Sequence, residues 1–157
     1  MSSGKLKGVL SSLVDIYEKL LSANMQERES LVNMDTENMI RTIEIEQYLS
    51  LKIQEHKTSL KNILQDANAE NVSEFLFLAS KNEDVDDLRI LNGKLQTLVS
   101  QFERDKEINK MIVEENISFY NNIMDLYSTI LDKKSQRYNK DAEMSVNHIN
   151  KAVSVRV

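Results

Sequence analysis

Two histidines, His56 and His148, and the close carboxylate pairs Glu44/Glu46 and Glu114/Glu115 are the side chains in this 157-residue chain whose types could support acid–base or metal chemistry. Their spacing works against it. The histidines lie far apart among ordinary helix-forming residues, and residues one or two apart on a helix do not share a face. With no cysteine there is no thiolate nucleophile, no disulfide and no sulfur-based zinc site. Gly93 stands alone inside a helical pattern, so it forms no glycine-rich phosphate cradle; it reads as a point where a neighbouring helix packs closely. The run Glu83, Asp84, Asp86, Asp87 is explained by negative charge favouring the positive end of a helix dipole. No catalytic group, metal site or cofactor site emerges, and the protein reads as a binding protein and not an enzyme.

The informative side chains are instead polar residues in an apolar seam. Leu88, Leu91, Leu95, Leu98, Phe102, Asp105, Asn109, Ile112, Asn116, Phe119, Ile123, Leu126 and Ile130 follow one another at alternating steps of three and four, the period of a supercoiled helix. Asp105, Asn109 and Asn116 weaken apolar packing there but can fix register by hydrogen bonds, or can line a groove that opens to hold another helix. Met111, Ile112, Val113, Phe119, Tyr120, Met124 and Tyr127 surround them, and flexible thioethers with aromatics adapt well to a guest helix.

The elements that carry these residues are all helical. Proline is absent and glycine occurs three times, so the turn chemistry of a sheet is missing. The first helix is expected over about 5–32, its seam running through Leu6, Leu10, Leu13, Tyr17, Leu20 and Leu31. Asn33 suits a left-handed stop and Asp35 an N-cap, giving a tight hairpin into a second helix over about 36–68. Ile45, Leu49, Ile53, Leu60, Ile63 and Ala67 form its buried stripe, with His56 in the same line. Asn71 and Glu74 stand at N-cap and N3 spacing before the cluster Phe75-Leu76-Phe77-Leu78, which predicts a short, mostly buried helix over 72–80. Asn82 caps a last helix over about 83–134, roughly 75 Å long at 1.5 Å per residue. The first two helices reach only about 42 to 50 Å by the same rise, so the seam around Phe119, Ile123, Leu126 and Ile130 outruns them.

The predicted architecture is therefore all-α: an antiparallel helical hairpin plus a short helix packed on one long C-terminal helix. It forms a coiled-coil-like bundle of residues 1–135, followed by a mobile, partly disordered C-terminal tail of residues 136–157. Val146, Ile149, Val153, Val155 and Val157 give that tail too little apolar surface for a fold of its own, though it could fold back onto the open stripe. A net charge of −5 argues against nucleic-acid binding. No apolar run approaches the roughly 20 residues that span a bilayer, so no membrane insertion is expected, and the absence of a secretory leader and of cysteine fits the cytoplasm.

With these elements placed, residues 9–143 resemble the FlgN family of flagellar export chaperones. The likeness rests on the rhythm Glu27, Leu31, Asp35, on the short apolar helix Val72-Ser73-Glu74-Phe75-Leu76, and on Asn109-Lys110-Met111-Ile112-Val113. It rests too on Tyr138-Asn139-Lys140-Asp141-Ala142, similar to the family's Tyr-x-x-Asp-Gly, with Ala142 in place of the glycine. The resemblance implies a cytosolic type III export chaperone that binds the amphipathic C-terminal helix of hook-filament junction (hook-associated) proteins. It would prevent their premature assembly and deliver them to the export gate. It also implies that cargo lies along the C-terminal part of the long helix, which the surplus stripe indicates independently: Asn109, Ile112, Val113, Asn116, Phe119, Tyr120, Ile123, Leu126, Tyr127 and Ile130. Tyr138 and Asp141 would contact the cytoplasmic domain of the gate. The alternative is a structural or adaptor coiled coil, a homodimer in which the long helix pairs with its own copy.

Overall fold

The computed structural model describes residues 2–137, with side chains over residues 3–133. Four helices and no strands are found among them: α1 (Ser2–Asn33), α2 (Thr36–Asp66), α3 (Val72–Ala79) and α4 (Asp86–Arg137). The all-helical expectation holds, and the expected helix bounds as far as the start of α4 lie within three residues of those found. Most of the expected tail, from Tyr138 onward, lies outside the described residues. The chain divides into two compact units, residues 1–110 and 111–157.

In the first unit, α1 is the central element. Leu6, Leu10, Leu13, Val14, Ile16, Tyr17 and Leu20 are all buried, a stripe wide enough to face two neighbours at once. One continuous core joins them to Leu49, Ile53 and Ile63 of α2, Phe75 and Leu76 of α3, and Val85, Leu88 and Leu95. Contacts between α1 and α4 rise together along both helices, from Lys7–Asp87 (3.0 Å) through Glu18–Lys94 (2.7 Å) to Asn24 with Asn109, so the two run parallel. Tyr17 and Phe102 meet edge to face at 6.0 Å between ring centroids.

The turns use capping chemistry, with shifts from the expected residues. Asn33 stays helical and Met34 takes the left-handed conformation (φ 54°), which lets the Asp35 N–H reach back to the Ser30 carbonyl at 2.9 Å. Asp35 then caps α2, accepting the Asn38 N–H at 3.1 Å, as its position predicts. Asn71 likewise caps α3 through the Glu74 N–H at 2.9 Å, and Glu74 reaches back to the Glu70 N–H at 2.7 Å. Asn82 does not cap α4. The helix begins three residues beyond the expected start because Val85, an apolar side chain in the core, fixes the entry point; its carbonyl accepts the first helical bond and the Asp84 side chain takes the Asp86 N–H.

Three further expectations are corrected. Ile45 is exposed, because Leu49, Ile53, His56, Leu60 and Ile63 set a three-four register that continues through Glu46 and Thr42, one position away from Ile45. Only half of the α3 cluster is buried: Phe77 is 64% exposed and Leu78 is exposed with it, since an eight-residue helix has one core-facing side. Gly93 makes no close approach, and a Cβ built there meets nothing within 4 Å. Gly93→Ala should therefore gain the helix-propensity difference of about 1 kcal/mol with no steric cost. Urea unfolding would read this as a higher midpoint at unchanged slope, and a destabilised variant would show that something does pack at Gly93.

Candidate functional site

The polar seam residues of α4 divide between the two units and have different surroundings. In the first unit, Asn109 is 3% exposed and Asn24 of α1 is 1% exposed. The Arg28 Nε donates to Asn109 Oδ1 at 2.8 Å, while Arg28 Nη2 donates to the Asp105 carbonyl at 3.1 Å and lies 3.8 Å from its carboxylate. Asn109 Nδ2 donates to both the carbonyl and Oδ1 of Asn24, each at 2.9 Å. A guanidinium can only donate, so it fixes which end of the Asn109 amide faces it, and that in turn fixes the Asn24 oxygen toward Asn109. Asn24 Nδ2 is left buried without an acceptor, a cost of about 1–3 kcal/mol for such a group. Of the two roles open to Asp105 and Asn109, the structure assigns register control against α1. Asn109, expected on the cargo-binding face, is thus spent inside the bundle.

A second polar contact lies on the α2 side of the same layer. Glu27 of α1 and Glu46 of α2 occupy seam positions, and the Glu46 Oε1 is buried without a hydrogen-bond donor. Burial, reinforced by the neighbouring Glu27, pushes the Glu46 carboxyl up to about 7 against the opposing pull of Lys106. Nothing in the residue pattern points to this pair, because the apolar Ile45 masks the register of α2.

In the second unit, the C-terminal part of α4 carries the remaining predicted residues. Phe119 (58% exposed), Tyr120, Ile123, Leu126 (62% exposed), Tyr127 and Ile130 are large and exposed, while Ile112, Val113 and Asn116 are half-buried. Ile112, Asn116, Phe119, Ile123, Leu126 and Ile130 share one face at three-four spacing, with Val113, Tyr120 and Tyr127 along its edge. The face spans about 27 Å, five turns of helix. Phe119 and Tyr120 also meet edge to face at 6.1 Å. Met111 is exposed beside them as expected, and Ile117 widens the exposed apolar surface further. A face of this kind can take up an amphipathic helix by apolar contact alone. Tyr138 and Asp141, the expected gate contacts, lie outside the described residues.

No helix among the described residues is long and apolar enough to cross a membrane. Nor do those residues hold three or more histidine, aspartate or glutamate side chains grouped to bind a metal. His56 is half-buried in the α2 stripe, and His148 lies outside the described residues.

Asn109→Leu strands the Arg28 Nε and Asn24 Oδ1 and is expected to cost about 2–3 kcal/mol. Adding Arg28→Met should recover part of that loss, giving a coupling of about 1 kcal/mol or more in chemical unfolding. Strictly additive losses would show that these bonds do not act as one network.

No curated protein and no solved structure matches the chain. A family model described as FlgN protein matches residues 1–145, and with that match covering most of the chain, the chain belongs to the FlgN family of flagellar export chaperones.

Proposed function

We propose that the α4 face from Ile112 to Ile130 receives the amphipathic C-terminal helix of hook-filament junction proteins in the cytoplasm. There it keeps them from assembling early and delivers them to the export gate. The observation that carries this reading is the run of large apolar side chains left exposed at seam spacing: Phe119, Tyr120, Ile123, Leu126, Tyr127 and Ile130. Exposed apolar surface of this extent and regularity marks a partner's place. Membership in a chaperone family fits a transient guest. Ile112, Val113 and Asn116 would border the guest, and Tyr138 with Asp141 would contact the cytoplasmic domain of the gate.

The guest is held by desolvation of apolar groups and little else. Burial of an aromatic or branched aliphatic side chain contributes about 1.5–3 kcal/mol, so a few such contacts give useful affinity without a deep pocket. The unbroken three-four spacing also supports a second reading, a structural or adaptor coiled coil in which this face pairs with its own copy and takes no foreign guest.

Phe119→Asp with Ile123→Asp should weaken binding of a junction-protein C-terminal peptide at least tenfold, measured by calorimetry, while the helical circular dichroism stays unchanged. Undiminished affinity would exclude this face as the cargo site. Light scattering of the unloaded chain separates the second reading: a tight dimer that ignores the peptide would favour a self-paired coil over a chaperone surface.

A further inference from the structure

The attachment of α2 to α1 is uneven. Between Thr36 and Tyr48 the buried or half-buried side chains are Met39, Thr42 and Glu46, whereas Ile40, Ile43, Ile45 and Tyr48 are exposed. Aliphatic burial on this helix begins only at Leu49 and continues through Ile53 and Ile63. The Thr42 hydroxyl is satisfied by the Met39 carbonyl of its own helix at 2.9 Å, so it does not tie α2 to α1. Glu46 is thus the main polar side chain in that stretch that meets α1, and what it meets is another acid, Glu27.

We infer that Glu27 and Glu46 form a proton-held latch: a proton on the buried Glu46 carboxyl lets it donate to Glu27 and closes the seam of the hairpin near its turn, and its loss frees residues 36–48 of α2 to open. The buried Glu46 Oε1 has no donor unless a carboxyl supplies one, and a protonated carboxyl supplies one. From α1, Arg28 is turned to Asn109 and Asp105 and does not neutralise the pair. From α4, Lys106 approaches Glu46, lining the same groove with Ile43, Gln47, Ser50, Leu51 and Gln54. Lys106 lowers the proton affinity of Glu46, but burial and Glu27 outweigh it, leaving the carboxyl at about 7. The groove, about 420 Å³, opens the Glu46 side of the pair to solvent.

The sign follows from linkage. The closed hairpin binds the Glu46 proton more tightly than the open one, so the latch holds fully below the ordinary carboxyl range and is lost as pH rises through about 7. Short segments with little apolar burial open locally without global unfolding, and residues 36–48 meet that description.

Hydrogen–deuterium exchange of the full chain at pH 6 and pH 8, scaled for the intrinsic exchange rate, tests this directly. Peptides covering residues 36–48 should lose between about threefold and tenfold protection from pH 6 to pH 8, the range one proton gives when half-exposed solvent screens the pair. Peptides over residues 53–66 and 88–102 should not change. Glu46→Gln, which donates a hydrogen bond at every pH, should hold its protection at both values, and Glu27→Gln offers a second route to the same result. In the unaltered chain, the Glu46 carboxyl carbon should titrate near 7 by NMR. A Glu46 midpoint near 4.5, or equal loss of protection in Glu46→Gln and the unaltered chain, would overturn the latch.

Discussion

Arg28 cannot accept a hydrogen bond, and this one-way chemistry organises the polar layer of the bundle. Its guanidinium orients Asn109, Asn109 orients Asn24, and α4 is thereby held in a single register along α1. An all-leucine seam would bind more tightly but would tolerate slips of a whole heptad. Leaving Asn24 Nδ2 without a partner sacrifices some stability for that single alignment.

The chain distributes its apolar side chains in two ways. Leu6 to Leu20 with Leu49, Ile53, Ile63, Leu88 and Leu95 form a continuous core. Phe119 to Ile130 keep the same spacing but remain exposed. Sequence periodicity alone cannot distinguish these, because a buried seam and a docking face require the same three-four pattern. Exposure separates them.

Much of the fold was legible in the sequence because helices announce themselves locally. Asp35, Asn71 and Glu74 cap where their types and spacing say they should, and the seam from Leu88 to Phe102 lies as counted. Errors arose where tertiary packing overrode a local preference. The hydrophobicity of Ile45 pointed to the wrong face of α2, and the true seam residue, Glu46, carries a charge that no pattern rule would bury. Asn82 has the better capping side chain, yet burial of Val85 sets the helix start. Asn109 could be placed in the seam by counting, but not assigned to α1 rather than a guest, since that depends on where Arg28 of a distant segment arrives.

The polar character of the hairpin near its turn also governs the order in which the chain can fold. A hairpin whose apolar contacts sit beside the turn zips up from a small closed loop. Here the nearest arm residues joined in the continuous core are Leu20 and Leu49, 29 positions apart, with Ala23 and Leu31 the buried apolar side chains of α1 between them and the turn. Loop closure grows only logarithmically with length, each doubling adding about 0.6 kcal/mol, so the penalty on rate is modest. The consequence is one of sequence in time: the continuous core between the arms closes only once a loop of that length has formed, while the turn at Met34 and Asp35 rests on local bonds alone.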